Sequence, residues 1–280
     1  MGKVLVGAEV AQRYRDDIAQ EIKQLKADGK EVPHLSVILV GDNAASLSYI
    51  KGKEKACAEV GMKSSIFHLP KTITQDELIA VIQAQNQDKS VDGILVQLPL
   101  PTHISEKEVI AQLNPKKDVD GLHPMNIGNL MLNQDGFVPC TPLGVMALLR
   151  ETKIDLVGKR VAVVGRSPLV GSSVAQLLTH ESATVTLCHS KTENLQKICQ
   201  ESDVVVVAIG KAKAIGKDYI KPGAVVIDVG INRTQDGKLV GDVNFDEVAE
   251  IASFITPVPK GVGPMTIAML LQNTLKAYKQ

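Results

Sequence analysis

The stretch "VAVVGRSPLVGSS" (residues 161–173) decides how this chain is read. Apolar residues 161–164 run into Gly165 as a buried strand would, and helical pattern resumes near Gly171. A dinucleotide-binding turn is built this way. Glycine permits the tight turn, and the helix N-terminus presents free backbone N–H groups to a pyrophosphate. The spacing is not G-x-G-x-x-G, however. Ser167 holds the second glycine position and Val170 the third, with Gly171 following. An ordinary βα turn shares these features, so the flanking sequence has to decide.

Downstream, a helix over 170–180 precedes a strand at 183–187, a helix at 193–200, and strands at 203–210, 224–230 and 252–256. A helix over 263–278 comes last. Upstream the same alternation occurs. A helix over 7–28 ends near Gly29, and strands at 34–40, 63–69 and 92–98 are separated by helices at 44–60 and 74–87. The second of these opens with Thr74 and Glu77 at capping-box spacing. Such alternation predicts parallel sheets covered by helices, an α/β protein with a Rossmann-type half. At 280 residues the chain suits two domains. With no Trp and only four Phe and four Tyr, its cores must be built from Val, Ile, Leu and Ala. Residues 97–130 are irregular and rich in Pro, Asn, Asp and Gly. A long loop at the carboxyl end of a strand is where α/β proteins place their sites. A helix over 141–151, with Pro142 at its first position, then leads into the second half.

Lys+Arg and Asp+Glu each total 31, so net charge gives no reason to expect a nucleic-acid or membrane partner. The four cysteines, Cys57, Cys140, Cys188 and Cys199, are scattered and lack metal-ligand spacing. They read as buried thiols of a reducing, cytoplasmic compartment, with no metal. The start, "MGKVLVG", lacks an export-signal layout.

The cofactor is legible at the end of the strand after the turn. NAD sites place an acid there for the ribose 2′-hydroxyl. Here "VTLCHSKT" supplies His189, Ser190 and Lys191 and no acid, while Arg166 lies in the first turn. That composition suits a 2′-phosphate, and so NADP.

In "ASLSYIKGKEKACAEVG" (45–61), each helical residue advances about 100°. With Tyr49 at zero, Val60 falls near ~20°, Lys53 near ~40°, Cys57 near ~80° and Ile50 near ~100°. Lys51 and Lys55 fall near ~200° and ~240°, on a wet face where Lys55 and Glu59 can pair. Lys53 sits in the apolar stripe one turn after Tyr49. Phase alone leaves two readings: the lysine snorkels, or it enters a pocket where burial makes it a usable acid/base. Gly52 in this helix suggests close packing nearby.

Taken in order, "VGDNAASLSYIKGKEKACAEVGM", "DGILVQLPLP", "KDVDGLHPMNIGNL", "PCTPLGV", "VVGRSPLVG", "KPGAVVIDVGIN" and "ITPVPKGVGPMT" resemble the bifunctional methylenetetrahydrofolate dehydrogenase/methenyltetrahydrofolate cyclohydrolase family from about residue 3 to the C-terminus. The resemblance implies oxidation of 5,10-methylenetetrahydrofolate with NADP, then hydrolysis of the methenyl cation to 10-formyltetrahydrofolate. It implies a folate-binding domain over 1–139 with the helix 264–280, and a Rossmann NADP-binding domain over 140–263. The site would lie in a cleft between them, and the Rossmann domains would form a homodimer. Lys53 and Tyr49 match the family's Tyr-x-x-x-Lys pair, Lys53 as the acid/base and Tyr49 as a stacking partner for folate. Gln97 would orient the lysine and Asp120 would hold the pterin. Pro259 and Gly263 lie in the loop expected to close on the substrate. Gly165, Arg166, Ser167, Ser190 and Ile231 carry over as cofactor contacts, while His123 and His189 are read as a loop residue and a cofactor-side lining residue. The chain departs from the family at Lys260, where glycine is usual, at Ser172-Ser173, where Arg-Pro is usual, and at Ile209, where a small residue or Thr is common. A monofunctional enzyme and a ligand-sensing binding protein on the same scaffold are the alternatives. Joint presence of Lys53, Gln97 and Asp120 argues against the second.

Overall fold

The computed structural model describes residues 2–280. The chain runs β1 (Lys3–Val4), α1 (Gly7–Ala27), β2 (His34–Val40), α2 (Ala44–Val60), β3 (Lys63–Leu69), α3 (Gln75–Gln87), β4 (Gly93–Val96), α4 (Glu106–Ile110), α5 (Pro124–Met131) and α6 (Cys140–Glu151). It continues through β5 (Arg160–Val164), α7 (Ser173–His180), β6 (Thr184–Cys188), α8 (Leu195–Gln200), β7 (Val204–Val207), β8 (Val225–Asp228), β9 (Asn232–Arg233), β10 (Leu239–Val240), α9 (Phe245–Val248), β11 (Phe254–Ile255) and α10 (Val262–Tyr278). Among the described residues, no helix is long and apolar enough to cross a membrane.

These elements form two units. One comprises Gln12–Cys140 and Ile267–Gln280, the other Met1–Ala11 and Thr141–Thr266. The first unit is built on a parallel sheet of order β3-β2-β4. Every residue of the central strand β2 is buried, which explains its apolar character, and its two polar residues are paired: His34 Nε2 with Ser65 Oγ (2.6 Å), and Ser36 Oγ donating to Gln85 Oε1 (2.9 Å). The edge strand β3 is more open, with Lys63, Ile66 and His68 exposed and Phe67 and Leu69 partly buried against the core. Ile38, Val40, Leu78, Ile82, Ile94 and Val96 fill the core between sheet and helices. The capping box of α3 forms: the Glu77 amide donates to Thr74 Oγ1 (3.3 Å) and the Thr74 amide to Glu77 Oε2 (2.8 Å). A Thr74→Ala variant is expected to lose ~1 kcal/mol of stability in a denaturant melt. An unchanged midpoint would contradict that role for the cap.

The irregular stretch after β4 is ordered by its return to the sheet. The Ile94 amide donates to Lys117 O (2.7 Å), and Asp118 bridges Ile94 in parallel. Residues 117–120 are thereby laid alongside β4. Asp118 is buried and accepts from the His123 amide (2.7 Å) and from Asn126 Nδ2 (2.8 Å). His123 caps α5, its Nδ1 accepting from the Met125 amide (3.0 Å). Asn273 of α10 is buried and donates to Val119 O (2.8 Å) and Val138 O (3.1 Å), holding the same stretch from the other side.

The second unit carries a six-stranded parallel sheet of order β1-β11-β8-β7-β5-β6. Its middle strands are valine-rich and buried. The N-terminal residues join this unit because β1 pairs with β11 and the Gly2 amide donates to Ala249 O (2.7 Å). Strand order reverses at β5, with β6 on one side and β7 on the other, so the carboxyl ends of β5 and β7 flank a switch point. The expected helix over 170–180 begins instead as a π turn over Pro168–Ser172, with the Ser172 amide donating to Ser167 O (3.0 Å) before α7 starts. Ser172 Oγ donates to Arg166 O (3.1 Å) and Ser173 Oγ to Pro168 O (2.7 Å), so the two departing serines brace this turn.

Candidate active site

In the first unit α2 buries Ile50, Ala56, Cys57 and Val60 and leaves Lys51 and Lys55 exposed, as its phase predicts. Lys55 pairs with Glu59 at 3.8 Å. Lys53 is partly buried and its Nζ donates to Gln97 Oε1 (2.9 Å). The orientation of that amide is fixed locally. The Gln97 backbone N–H continues the β2 pairing by donating to Ile38 O (2.9 Å), and Nε2 donates to Leu98 O (2.6 Å). Only the carbonyl end is then left for the lysine. Tyr49, one turn earlier, keeps 47% of its surface exposed. Gly52 has a blander surrounding than its sequence position suggests. A Cβ there would lie 3.6 Å from Ile267 Cδ1, an ordinary contact, so no close approach requires glycine.

Asp120 faces this lysine electrostatically. Burial pushes its carboxyl up to about 6, with Lys53 pulling it down and Asp118 pushing it up. Burial lowers Lys53 from the ordinary lysine range, and Asp120 partly opposes that. An amine and a carboxyl are thus moved toward neutrality from opposite sides. Cys140, which sequence reasoning left as a bulk thiol, belongs to this cluster. It is buried, hydrogen-bonded to Asp120, and 3.4 Å from Val119 O. Burial and the neighbouring carboxylate hold its thiol well above the usual range, so it stays protonated. The motif "PCTP" contained this residue, but its neighbours lie far away in sequence.

In the second unit the loops after β5, β6 and β7 enclose a cavity of about 420 Å³. Gly165, Arg166, His189 and Ser190 line it, together with Ile209, Lys211 and Tyr219. None of the residues lining it is acidic. Gly165 has φ +120°, and a Cβ on it would meet Ala208 O at 2.1 Å. A Cβ on Gly171 would meet Gly165 O at 1.8 Å. Both glycines therefore let backbone approach backbone, as a nucleotide-binding turn needs. Of the other expected cofactor residues, Ser167 precedes the π turn and Ile231 follows β8 with its side chain exposed. Neither lines this cavity. Lys211 and Tyr219 carried no motif signal. Pro259 and Gly263 also lie in the second unit. Pro259 follows a cis peptide bond, and a Cβ on Gly263 would lie 3.7 Å from Ile231 Cδ1. Lys260 has φ +79°, in the left-handed region, which accounts for glycine being usual at that position.

Residues 139–280 match the family model described as "Tetrahydrofolate dehydrogenase/cyclohydrolase, NAD(P)-binding domain", and residues 5–120 match "Tetrahydrofolate dehydrogenase/cyclohydrolase, catalytic domain". The chain is 55% identical over 278 residues to the bifunctional protein FolD of Geobacillus thermodenitrificans, covering 99% of this chain and 98% of that one. It superposes with a TM-score of 0.97 on the bifunctional FolD methylenetetrahydrofolate dehydrogenase/cyclohydrolase of Campylobacter jejuni, at 48% identity, covering 100% of this chain and 99% of that one. A Trypanosoma brucei methylenetetrahydrofolate dehydrogenase-cyclohydrolase complexed with NADP cofactor and inhibitor matches with a TM-score of 0.95 at 39% identity, covering 99% and 97% of the two chains.

Proposed function

The chain belongs to the tetrahydrofolate dehydrogenase/cyclohydrolase family, and from that premise we propose how its own residues divide the two reactions. The protein oxidises 5,10-methylenetetrahydrofolate to the methenyl form with NADP and hydrolyses that form to 10-formyltetrahydrofolate. The observation that carries the assignment of roles is the Lys53–Gln97 hydrogen bond beside a carboxyl raised to about 6.

In the oxidation, hydride leaves a carbon bonded to two nitrogens whose lone pairs stabilise the resulting cation. The enzyme's task there is positioning rather than strong base catalysis. NADP supplies the hydride acceptor. Arg166 and Ser190 hold its 2′-phosphate, which the acid-free cavity accommodates, and the turn at Gly165–Ser167 receives the pyrophosphate. Ile231, with Pro259 and Gly263 in the same unit, lines the reacting end of the ligands.

In the hydrolysis, water adds to the methenyl carbon and its proton passes to the Lys53 amine. The same group then delivers a proton to the ring nitrogen as the carbon–nitrogen bond breaks, and the added hydroxyl loses its proton as the formyl carbonyl forms. Burial makes the neutral amine accessible, and Gln97 Oε1 holds Nζ in place through both states. Asp120, when ionised, accepts from the pterin amide N–H and amino group, and the exposed ring of Tyr49 stacks on the folate. Four free, buried thiols support a cytoplasmic location, and the open edge strand β6 supports a homodimer.

Turnover tests the whole reading: methylenetetrahydrofolate oxidation with NADP, and methenyltetrahydrofolate hydrolysis without it. A protein showing only one of these is monofunctional, and one showing neither is a binding protein. A pH dependence follows from Asp120. Its raised value means that the carboxylate acceptor is present above about 6 and is lost as pH falls through it. The KM for folate is expected to be flat above pH ~7 and to rise by up to ~10-fold per unit below ~6. Asp120→Asn should raise KM at all pH values and remove that inflection. An inflection that survives the substitution would assign it elsewhere.

A further inference from the structure

Two buried carboxylates of the second unit take no part in the chemistry above. Asp242 is fully buried and follows the β9–β10 hairpin. Its Oδ2 accepts from the amides of Ile209 (2.7 Å) and Gly210 (2.9 Å). Its Oδ1 accepts from the Lys211 amide (2.8 Å) and from Asn232 Nδ2 (2.9 Å). Three consecutive backbone N–H groups after β7 therefore converge on one carboxylate, and a side chain from the segment after β8 joins them. Asp228, at the end of β8, performs the matching task. Its Oδ1 accepts from the amides of Gly230 (2.9 Å) and Asp242 (3.0 Å), and its Oδ2 from that of Val243 (2.9 Å).

The neighbouring glycines are shaped around these groups. A Cβ on Gly230 would meet Asp242 Cγ at 2.2 Å, and one on Gly241 would meet Asp228 Oδ2 at 1.8 Å. The glycines of "DVGIN" and "VGDV" thus make room for carboxylates rather than for a ligand. Ile209 and Lys211, whose amides Asp242 gathers, line the nucleotide cavity. Asn232 is the residue after Ile231.

We propose that Asp242 is a positioning residue for cofactor binding: its carboxylate fixes the 209–211 wall of the nucleotide cavity and, through Asn232, ties it to the segment carrying Ile231. The inference rests on the NADP reading of that cavity. An amide cannot replace the carboxylate fully, because three of the four partners are backbone N–H groups that can only donate. In an Asp242→Asn variant the new NH2 faces two backbone N–H groups in one orientation and the Lys211 N–H in the other, where only Asn232 can turn its amide to accept, so at least one backbone donor is left unpaired.

The test is Asp242→Asn, read first by NADP titration calorimetry and by amide exchange at 209–211 without cofactor. The Kd for NADP should rise at least ~10-fold, and exchange at 209–211 should quicken by a similar factor. In turnover, KM for NADP should rise with kcat at saturating cofactor kept within about threefold, and cofactor-independent hydrolysis should be unchanged. General destabilisation does the opposite, reducing the active fraction at constant KM. An unchanged Kd in the folded variant overturns the proposal. If Asp242→Asn does not fold, Asn232→Ala decides, since it removes one donor and strands no charge. A rise of about threefold in Kd supports the role, and an unchanged Kd overturns it. Wild-type protein that fails to bind NADP defeats the cofactor reading itself, whereas wild type that binds no better than the variants defeats only the role of Asp242.

Discussion

Lys53→Ala is expected to slow methenyltetrahydrofolate hydrolysis by ~10²- to 10⁴-fold, the usual contribution of a positioned acid/base, while NADP affinity stays within about twofold. The separation follows from placement. Lys53, Gln97 and Asp120 all belong to the first unit, and the nucleotide cavity belongs to the second. Oxidation should fall less than hydrolysis, because leaving hydride needs no base. Lys53→Arg distinguishes proton transfer from charge. The guanidinium still donates to Gln97 and still faces Asp120, but it does not give up its proton near neutrality. Hydrolysis should remain low in that variant although folate still binds. Full hydrolysis by Lys53→Ala would remove the role assigned to it and leave snorkelling as the account of its position.

Arg166→Ala is expected to raise the Kd for NADP by ~10- to 100-fold and to leave binding of NAD nearly unaltered. A hydrogen bond to a charged group contributes about 1.5–3 kcal/mol, and the exposure of Arg166 places it toward the lower end. The sign of the selectivity rests on composition. The cavity offers Arg166, His189, Ser190 and Lys211 and no carboxylate to receive a ribose 2′-hydroxyl. Parallel titrations with the two dinucleotides measure it. Wild-type preference for NAD, or an Arg166→Ala variant that loses nothing with NADP, would count against the 2′-phosphate assignment. Screening by salt should weaken NADP binding in the wild type more than in the variant.

Much of this architecture could be read from the chain because burial leaves a simple signature. Strand β2 is covered on both faces, so all seven residues are buried and five of them are apolar, and α2 shows a stripe of buried residues at Ile50, Ala56, Cys57 and Val60. Lys53 stood out by helical phase, and the family motif then paired it with Tyr49. Other features depend on contacts between distant residues. Strands β9 and β10 are two residues each, closed locally by a turn in which the Gly237 amide donates to Thr234 O (2.9 Å), and Asp242 reaches the hairpin through Asn232 Nδ2 (2.9 Å), a contact no local pattern announces. Cys140 owes its raised thiol first to burial and then to Asp120, 20 positions away, with Lys53, 87 positions away, opposing both. Likewise Lys211 and Tyr219 share a cavity with Arg166 because β5 and β7 are neighbours in the sheet. A π turn stands where the sequence pattern predicts a plain helix start, and within it Gly171 packs so closely that a Cβ would meet Gly165 O at 1.8 Å, a contact that pattern does not announce.

The order in which the chain visits its two units has a consequence for how the protein can be made or divided. Residues 1–11 complete the second unit and Ile267–Gln280 complete the first. During synthesis the first unit is therefore unfinished until residues 267–280 have emerged, because Asn273 holds the stretch that leads to Asp120. No single cut yields two whole halves: severing the chain between Cys140 and Thr141 leaves one fragment without its final helix and the other without its first strand. A split version calls for a change in segment order: the four segments alternate between the units around the chain, so no circular permutation makes either unit contiguous.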